Sequence, residues 1–154
     1  MAMESAVLSQ SLVKWCLAGA LMTAGLSQAQ AREIVVHMKN NGAEGAMVFE
    51  PSFIKAAVGD TIKFMPTDKT HNAETIATML PDGAAPAVGK INETLVVKVD
   101  KPGLWGFKCK PHYTMGMVAL VQVGAKPANL AAARAAKLPP IAQKRMTAML
   151  AKVK

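Results

Sequence analysis

The most reactive combination of side chains in this chain lies in one short stretch, Cys109-Lys110-Pro111-His112-Tyr113-Thr114-Met115-Gly116-Met117. The spacing Cys-x2-His-x4-Met places a thiolate, an imidazole and a thioether within a single tight loop. Thiolate and thioether are soft donors that favour Cu(I), whereas imidazole also suits Cu(II), so a rigid site containing all three serves both oxidation states. One loop cannot surround an ion, and a further donor must come from elsewhere. His71 is the best candidate, in the loop-like segment Thr67-Asp68-Lys69-Thr70-His71-Asn72. Two imidazoles and one thiolate near a plane, with a weak axial thioether, match a mononuclear type 1 (blue) copper centre. Its four side chains leave no open position for a substrate, which points to one-electron transfer.

Taken singly, these residues have plainer readings. A lone cysteine at a strand end is commonly a small buried hydrophobe, and a lone histidine a hydrogen-bonded surface residue. Their coincidence in one strand-rich chain favours the metal. Zinc is the competing ion, since Cys and His ligate it well, but zinc gains little from a thioether. A copper enzyme would need additional histidine-rich sites, and after His71 and His112 only His37 remains. A binuclear centre would need a second cysteine in the mature chain. A copper chaperone or storage protein is the alternative function. It would hand over Cu(I) and show no strong blue Cu(II) state.

The chain has 154 residues, 51% hydrophobic and 18% charged. That suits one domain with a real core and excludes a disordered chain. The net charge is +8, yet only 5% of residues are aromatic, which argues against a base-stacking nucleic-acid fold. Residues 1–31 read as a secretory signal: Lys14, an apolar run from Trp15 to Leu26, then Ala29-Gln30-Ala31 as a small-x-small cleavage pattern. The apolar run is about twelve residues, short of the roughly 20 of a membrane span. Its removal takes Cys16 and leaves Cys109 as the single cysteine of a 32–154 domain. An exported protein with one thiol has no internal disulfide, and a metal would protect the sulfur.

Within 32–154 the segments Ile34–Lys39, Met47–Phe49, Phe53–Val58, Thr61–Met65, Thr94–Val99, Leu104–Lys108 and Val118–Val123 read as short strands. The turns between them include Asn40-Asn41-Gly42, Gly59-Asp60 and Lys101-Pro102-Gly103, and one helical turn is expected within Ala73–Met79. Short strands with such turns predict an all-β sandwich. After Gly124 the pattern changes to two helices, about 129–137 and 140–152, separated by Pro139-Pro140. Ala142, Met146, Met149, Leu150 and Val153 line one face of the second, which is expected to cap the sandwich.

These residues resemble the pseudoazurins, small periplasmic cupredoxins, across nearly all of 34–153. The resemblance is carried by Val36-His37-Met38, Gly45 through Pro51, Pro66-Thr67-Asp68-Lys69 with His71-Asn72, Lys90-Ile91-Asn92-Glu93, and Cys109 through Val118. It implies a cupredoxin-like Greek-key β-sandwich of about eight strands with two C-terminal α-helices. It also implies one type 1 copper per chain, held by His71, Cys109, His112 and Met117. Asn72 would donate a backbone hydrogen bond to the Cys109 sulfur, and His37 would not be a ligand. Met47, Pro111 and Met115 would form an apolar rim around His112, with Lys39, Lys69, Lys108 and Lys110 as a basic ring. The chain is then expected to be a monomeric periplasmic electron carrier, not an enzyme. It would serve acidic redox partners, a copper-type nitrite reductase of denitrification or cytochromes, docking near His112. It would bind no nucleic acid and have no membrane insertion once the signal is removed. Asn41 and Val88 depart from the family, standing where lysine is common, and Pro140-Ile141 replaces a basic pair.

Overall fold

The computed structural model describes residues 30–154; the signal segment 1–31 lies almost wholly outside them. Eight strands form two four-stranded sheets. The first takes β1 (Glu33–Gly42), β2 (Gly45–Glu50), β4 (Thr61–Pro66) and β6 (Leu95–Lys98) in the order β2-β1-β4-β6. The second takes β3 (Phe53–Ala56), β5 (Glu74–Thr75), β7 (Gly103–Lys108) and β8 (Val118–Val123) in the order β3-β8-β7-β5. Two pairings are parallel, β1 with β4 and β3 with β8, and the rest are antiparallel. These crossovers give the all-β sandwich that the strand pattern predicts, with the Greek-key arrangement that the resemblance implies.

Side-chain alternation explains the layers. Along β1, Val36 and Met38 are buried while His37 between them is exposed, the period-two pattern of a strand with one face in a core. Both Val36 and Met38 join Ile62 and Phe64 of β4 and Trp105 and Phe107 of β7 between the sheets. Strand β8 is buried on both faces. Ala119, Val121 and Val123 point into the sandwich, while Val118 and Leu120 meet a second apolar cluster under the helices. The helices are α1 (Leu130–Ala135) and α2 (Pro140–Leu150). Pro140 opens α2 where its missing N–H costs nothing, and Ala142, Met146, Met149 and Leu150 are buried as the periodicity predicts, whereas Val153 lies past the helix end and packs partly buried against the same cluster. The molecule is therefore three layers deep: sheet, sheet, helices.

Some local expectations are corrected. Asn40-Asn41-Gly42 is not a turn: β1 runs through it, Asn41 pairs with Ala46 and Gly42 with Gly45, and the hairpin turns at Ala43-Glu44. Cross-strand pairing outweighs the turn preference of Asn and Gly, a case of context overriding propensity. The third strand ends at Ala56, because Asp60 donates its N–H to the Ala57 carbonyl and closes a turn there. Strand β5 is two residues long and too short for any periodic signal. The helical turn near Ala73–Met79 is a 3-10 turn at Ala77–Met79.

Candidate metal centre

Two loops at one end of the sandwich carry the four residues singled out by the sequence. The first follows β4. Thr67 and Asp68 both donate N–H groups to the Met38 carbonyl, and Asn40 donates its N–H to the Asp68 carboxylate at 2.7 Å. Asn92 completes the anchoring: its N–H donates to the His71 carbonyl, and its side-chain oxygen accepts from the Thr70 N–H at 2.5 Å. His71 is thus fixed by three segments and fully buried.

The second loop joins β7 to β8. Cys109 N–H donates to the Met117 carbonyl at 3.0 Å and Met117 N–H to the His112 carbonyl at 3.2 Å, which closes the loop on itself. A 3-10 turn at Tyr113–Met115 supplies the bend, ended by Gly116 at φ +87°. A Cβ at Gly116 would lie 2.6 Å from Ile141 Cγ2 of α2, so this position requires glycine both for its backbone conformation and for its packing. Cys109 and Met117 are fully buried. His112 is half-buried and Met115 is exposed.

The donor atoms converge. His71 Nδ1 and His112 Nδ1 are 3.0 Å apart, and Cys109 Sγ lies 3.8 Å from the first and 3.6 Å from the second. With bond lengths of about 2.0 Å to nitrogen and 2.3 Å to sulfur, those of zinc, a trigonal ion needs donors about 3.5 to 3.8 Å apart. The triangle therefore fits a first-row metal with small adjustment of the His–His edge. His71 Nε2 is 2.9 Å from Asn40 Oδ1. An amide oxygen only accepts, so Nε2 carries the proton and Nδ1 presents its lone pair inward.

The electrostatics follow from burial. Desolvation lowers the pKa of His71, with a smaller contribution from neighbouring His112, so the ring is neutral and available as a donor. Burial pushes the Cys109 thiol up, opposed by the backbone N–H groups of Asn72 and His112. The Asn72 N–H is the group that the family resemblance implies for this sulfur. Such N–H groups favour the thiolate, the form that ligates a metal. The Asn72 side chain ties the two loops together: its oxygen accepts from Lys110 N–H at 2.7 Å, and its amide donates to the Gly89 carbonyl at 3.0 Å.

His37 stays outside the cluster, exposed on β1 with Nδ1 2.8 Å from Thr67 Oγ1. Of the expected basic ring, Lys39 is paired with Glu50 and Lys108 with Glu74; Lys108 also lies 4.9 Å above the Tyr113 ring. Lys69 and Lys110 are exposed and have no ion-pair partner among the described residues. Two contributing residues escape a reading of the sequence. Asn40 looks like a turn residue, and Arg145 looks like one more charge on the polar face of α2. In the fold, Arg145 Nη1 donates to the Met47 and Gly116 carbonyls at 2.8 and 2.9 Å, and Nη2 to the Ala46 carbonyl at 2.9 Å. It clamps Met47, itself at φ +51°, to the loop that bears Met117.

A Greek-key sandwich with a Cys–His–His cluster beneath one end is the architecture of a cupredoxin. The family model of copper-binding proteins of the plastocyanin/azurin family matches residues 36–124. The chain is 56% identical to a pseudoazurin of Paracoccus pantotrophus over 118 residues, 77% of this chain and 81% of the relative. The refined crystal structure of pseudoazurin from Methylobacterium extorquens AM1 superposes with a TM-score of 0.77 at 49% identity, covering 79% of this chain and 99% of that one. Native pseudoazurin from Hyphomicrobium denitrificans gives a TM-score of 0.76 at 46% identity, covering 79% and 98%. The chain belongs to the pseudoazurins, within the plastocyanin/azurin family of copper-binding proteins. Its cofactor is copper, and it is a blue copper electron carrier rather than an enzyme, exchanging electrons with redox partners. Among the described residues, no helix is long and apolar enough to cross a membrane.

Proposed function

We propose that His71 Nδ1, Cys109 Sγ, His112 Nδ1 and the Met117 thioether hold one type 1 copper. In this reading the protein ferries single electrons in the periplasm to a denitrification enzyme such as a copper-type nitrite reductase. The convergence of three donor atoms within 4.8 Å of one another, two of them on fully buried residues, is the observation that carries it. Bound copper supplies a one-electron Cu(II)/Cu(I) couple. The protein contributes a donor set tied in place by Asn40, Asn72 and Asn92, so little has to move when charge changes. Residues 1–31 act as the export signal, and 32–154 form the monomeric working domain.

His112 is the exit for the electron. It is the half-buried member of the set, flanked by exposed Pro111 and Met115. An apolar rim lets a partner approach without ordered water in between. Lys69 and Lys110, without a carboxylate partner among the described residues, supply the steering charge toward an acidic surface, and steering acts on the association rate more than on final affinity. Stopped-flow reduction of an acidic redox partner at increasing salt tests this reading. The rate is expected to fall as ions screen the attraction, and Lys69→Glu with Lys110→Glu to slow it further at low salt. Rates independent of salt and of both substitutions remove the acidic-partner reading. A visible spectrum of the copper-loaded protein tests the site itself, since a chaperone or storage role predicts no intense blue form that bleaches on reduction and returns on oxidation.

A further inference from the structure

The buried carboxylate of Asp60 has a feature unrelated to the metal. Its side chain is 3% exposed, and it lies in the turn before β4, held by Asp60 N–H to the Ala57 carbonyl and Val99 N–H to the Asp60 carbonyl. Three groups donate to it. Ala57 N–H and Arg32 Nη2 reach Oδ2 at 2.9 and 2.7 Å. The third is the main-chain nitrogen of Arg32, 2.9 Å from Oδ1. That nitrogen is not free to drift, because Thr61 N–H donates to the Arg32 carbonyl at 2.8 Å and the β1–β4 ladder begins at the next residue, Glu33 with Thr61. Gln30 and Ala31 are exposed. Among the described residues, hydrogen bonding into the sheets therefore starts at Arg32, which follows Ala29-Gln30-Ala31 in the sequence.

We propose that Asp60 is the receiving site for an α-ammonium group created when an export peptidase cleaves between Ala31 and Arg32. Leader removal thereby locks β1 into the sandwich. The inference rests on reading 1–31 as an export signal. Hydrolysis of that peptide bond consumes one water, leaves a carboxylate on Ala31 and gives Arg32 a protonated amine. The donor at 2.9 Å from Oδ1 changes from a neutral amide to a cation without the Arg32 backbone having to move. The amide bond to this carboxylate is already charge-assisted; an ammonium adds the attraction between opposite charges that a neutral amide lacks, and a buried carboxylate is the acceptor that most needs a positive neighbour. The Arg32 guanidinium does not make the ammonium redundant: its side chain is 62% exposed, so solvent screens it. The precursor and the processed chain then differ in stability although they share every strand of the described residues.

Among the described residues, both sheets, both helices and both apolar clusters lie within 33–154, so a chain beginning at Arg32 keeps all of them. The test compares two copper-loaded chains released from a fusion without residual residues, one starting at Arg32 and one at Ala31, by urea unfolding near neutral pH. The Arg32 chain is expected to have a folded-to-unfolded ratio about five- to tenfold higher, and Asp60→Asn to shrink that difference to less than about twofold. Should Asp60→Asn not fold, an Nα-acetylated Arg32 chain, which keeps the N–H and removes the charge, takes its place and is expected to match the Ala31 chain. Equal stability of the two starts overturns the pairing, as does a difference that survives Asp60→Asn or acetylation. N-terminal sequencing of the full chain after export by a bacterial host tests the cleavage separately. A native start at any residue other than Arg32 overturns the processing half, whatever the stabilities.

Discussion

Asn72 is the side chain that couples the two loops, and Asn72→Ala measures that coupling. The residue is 3% exposed. Truncation removes the acceptor of Lys110 N–H at 2.7 Å and the donor to the Gly89 carbonyl at 3.0 Å. Each hydrogen bond contributes about 1 kcal/mol net, and leaving a buried partner unmade costs about 1 to 3 kcal/mol. With two partners affected, the loss is expected to be about 2 to 4 kcal/mol, since partial relaxation of the Lys110 end toward water keeps it below the maximum. Urea unfolding of the copper-loaded protein reads this as a lower midpoint at unchanged slope. The copper centre is expected to change as well, because the lost bonds fix Lys110, next to Cys109, and Asn72 itself, whose backbone N–H favours the Cys109 thiolate. Asn72→Asp discriminates further: it keeps an acceptor for Lys110 but sets an oxygen against the Gly89 carbonyl and near Glu74. It is expected to destabilise at least as much as alanine despite its equal size. A loss below about 0.5 kcal/mol for Asn72→Ala, within the range of an ordinary surface change, with an unaltered visible spectrum, would refute the claim that this amide holds the loops.

Three further outcomes follow from the same geometry. Met117→Ala is expected to retain copper but to change its potential and colour, because an axial thioether is a weak donor; loss of both copper and fold would make Met117 a packing residue only. Arg145→Lys is expected to shift the visible spectrum and potential while changing stability little, since an ammonium cannot bridge the Met47, Gly116 and Ala46 carbonyls as a planar fork does; a wild-type spectrum and potential in Arg145→Lys and Arg145→Met would end that role. Asp60 is held down to about 2 from 3.8 by the Arg32 guanidinium and by the Ala57 and Arg32 N–H groups. Because its folded pKa is the lower one, its contribution is complete above about pH 4 and is lost as pH falls toward about 2. Acid titration of stability in Asp60→Ala is expected to lack this step.

The chemistry of the second loop was legible in the sequence because it is local. Cys109, His112 and Met117 lie within one hairpin connection, so their spacing alone brings them to one place. Strand alternation in β1 and β4 and the buried face of α2 were legible for the same reason: each periodicity is contained in a segment of a dozen residues or fewer. Two-residue β5 and the run of β1 through Asn40–Gly42 were not, because pairing with a neighbour and not intrinsic preference makes them strands.

Only the tertiary structure decided how the donors are held. The parallel register of β1 on β4 carries Asn40 to the far side of His71 and thereby selects the inward nitrogen. The packing of α2 across β8 delivers Arg145 to carbonyls 98 and 29 residues away. The same folding pairs Lys39 with Glu50 and Lys108 with Glu74, while Lys69 and Lys110 stay exposed without an ion-pair partner among the described residues. A sequence specifies which groups exist and which neighbours share a turn; hydrogen bonds and charge pairing between distant segments depend on ångström separations that only the packed sheets determine.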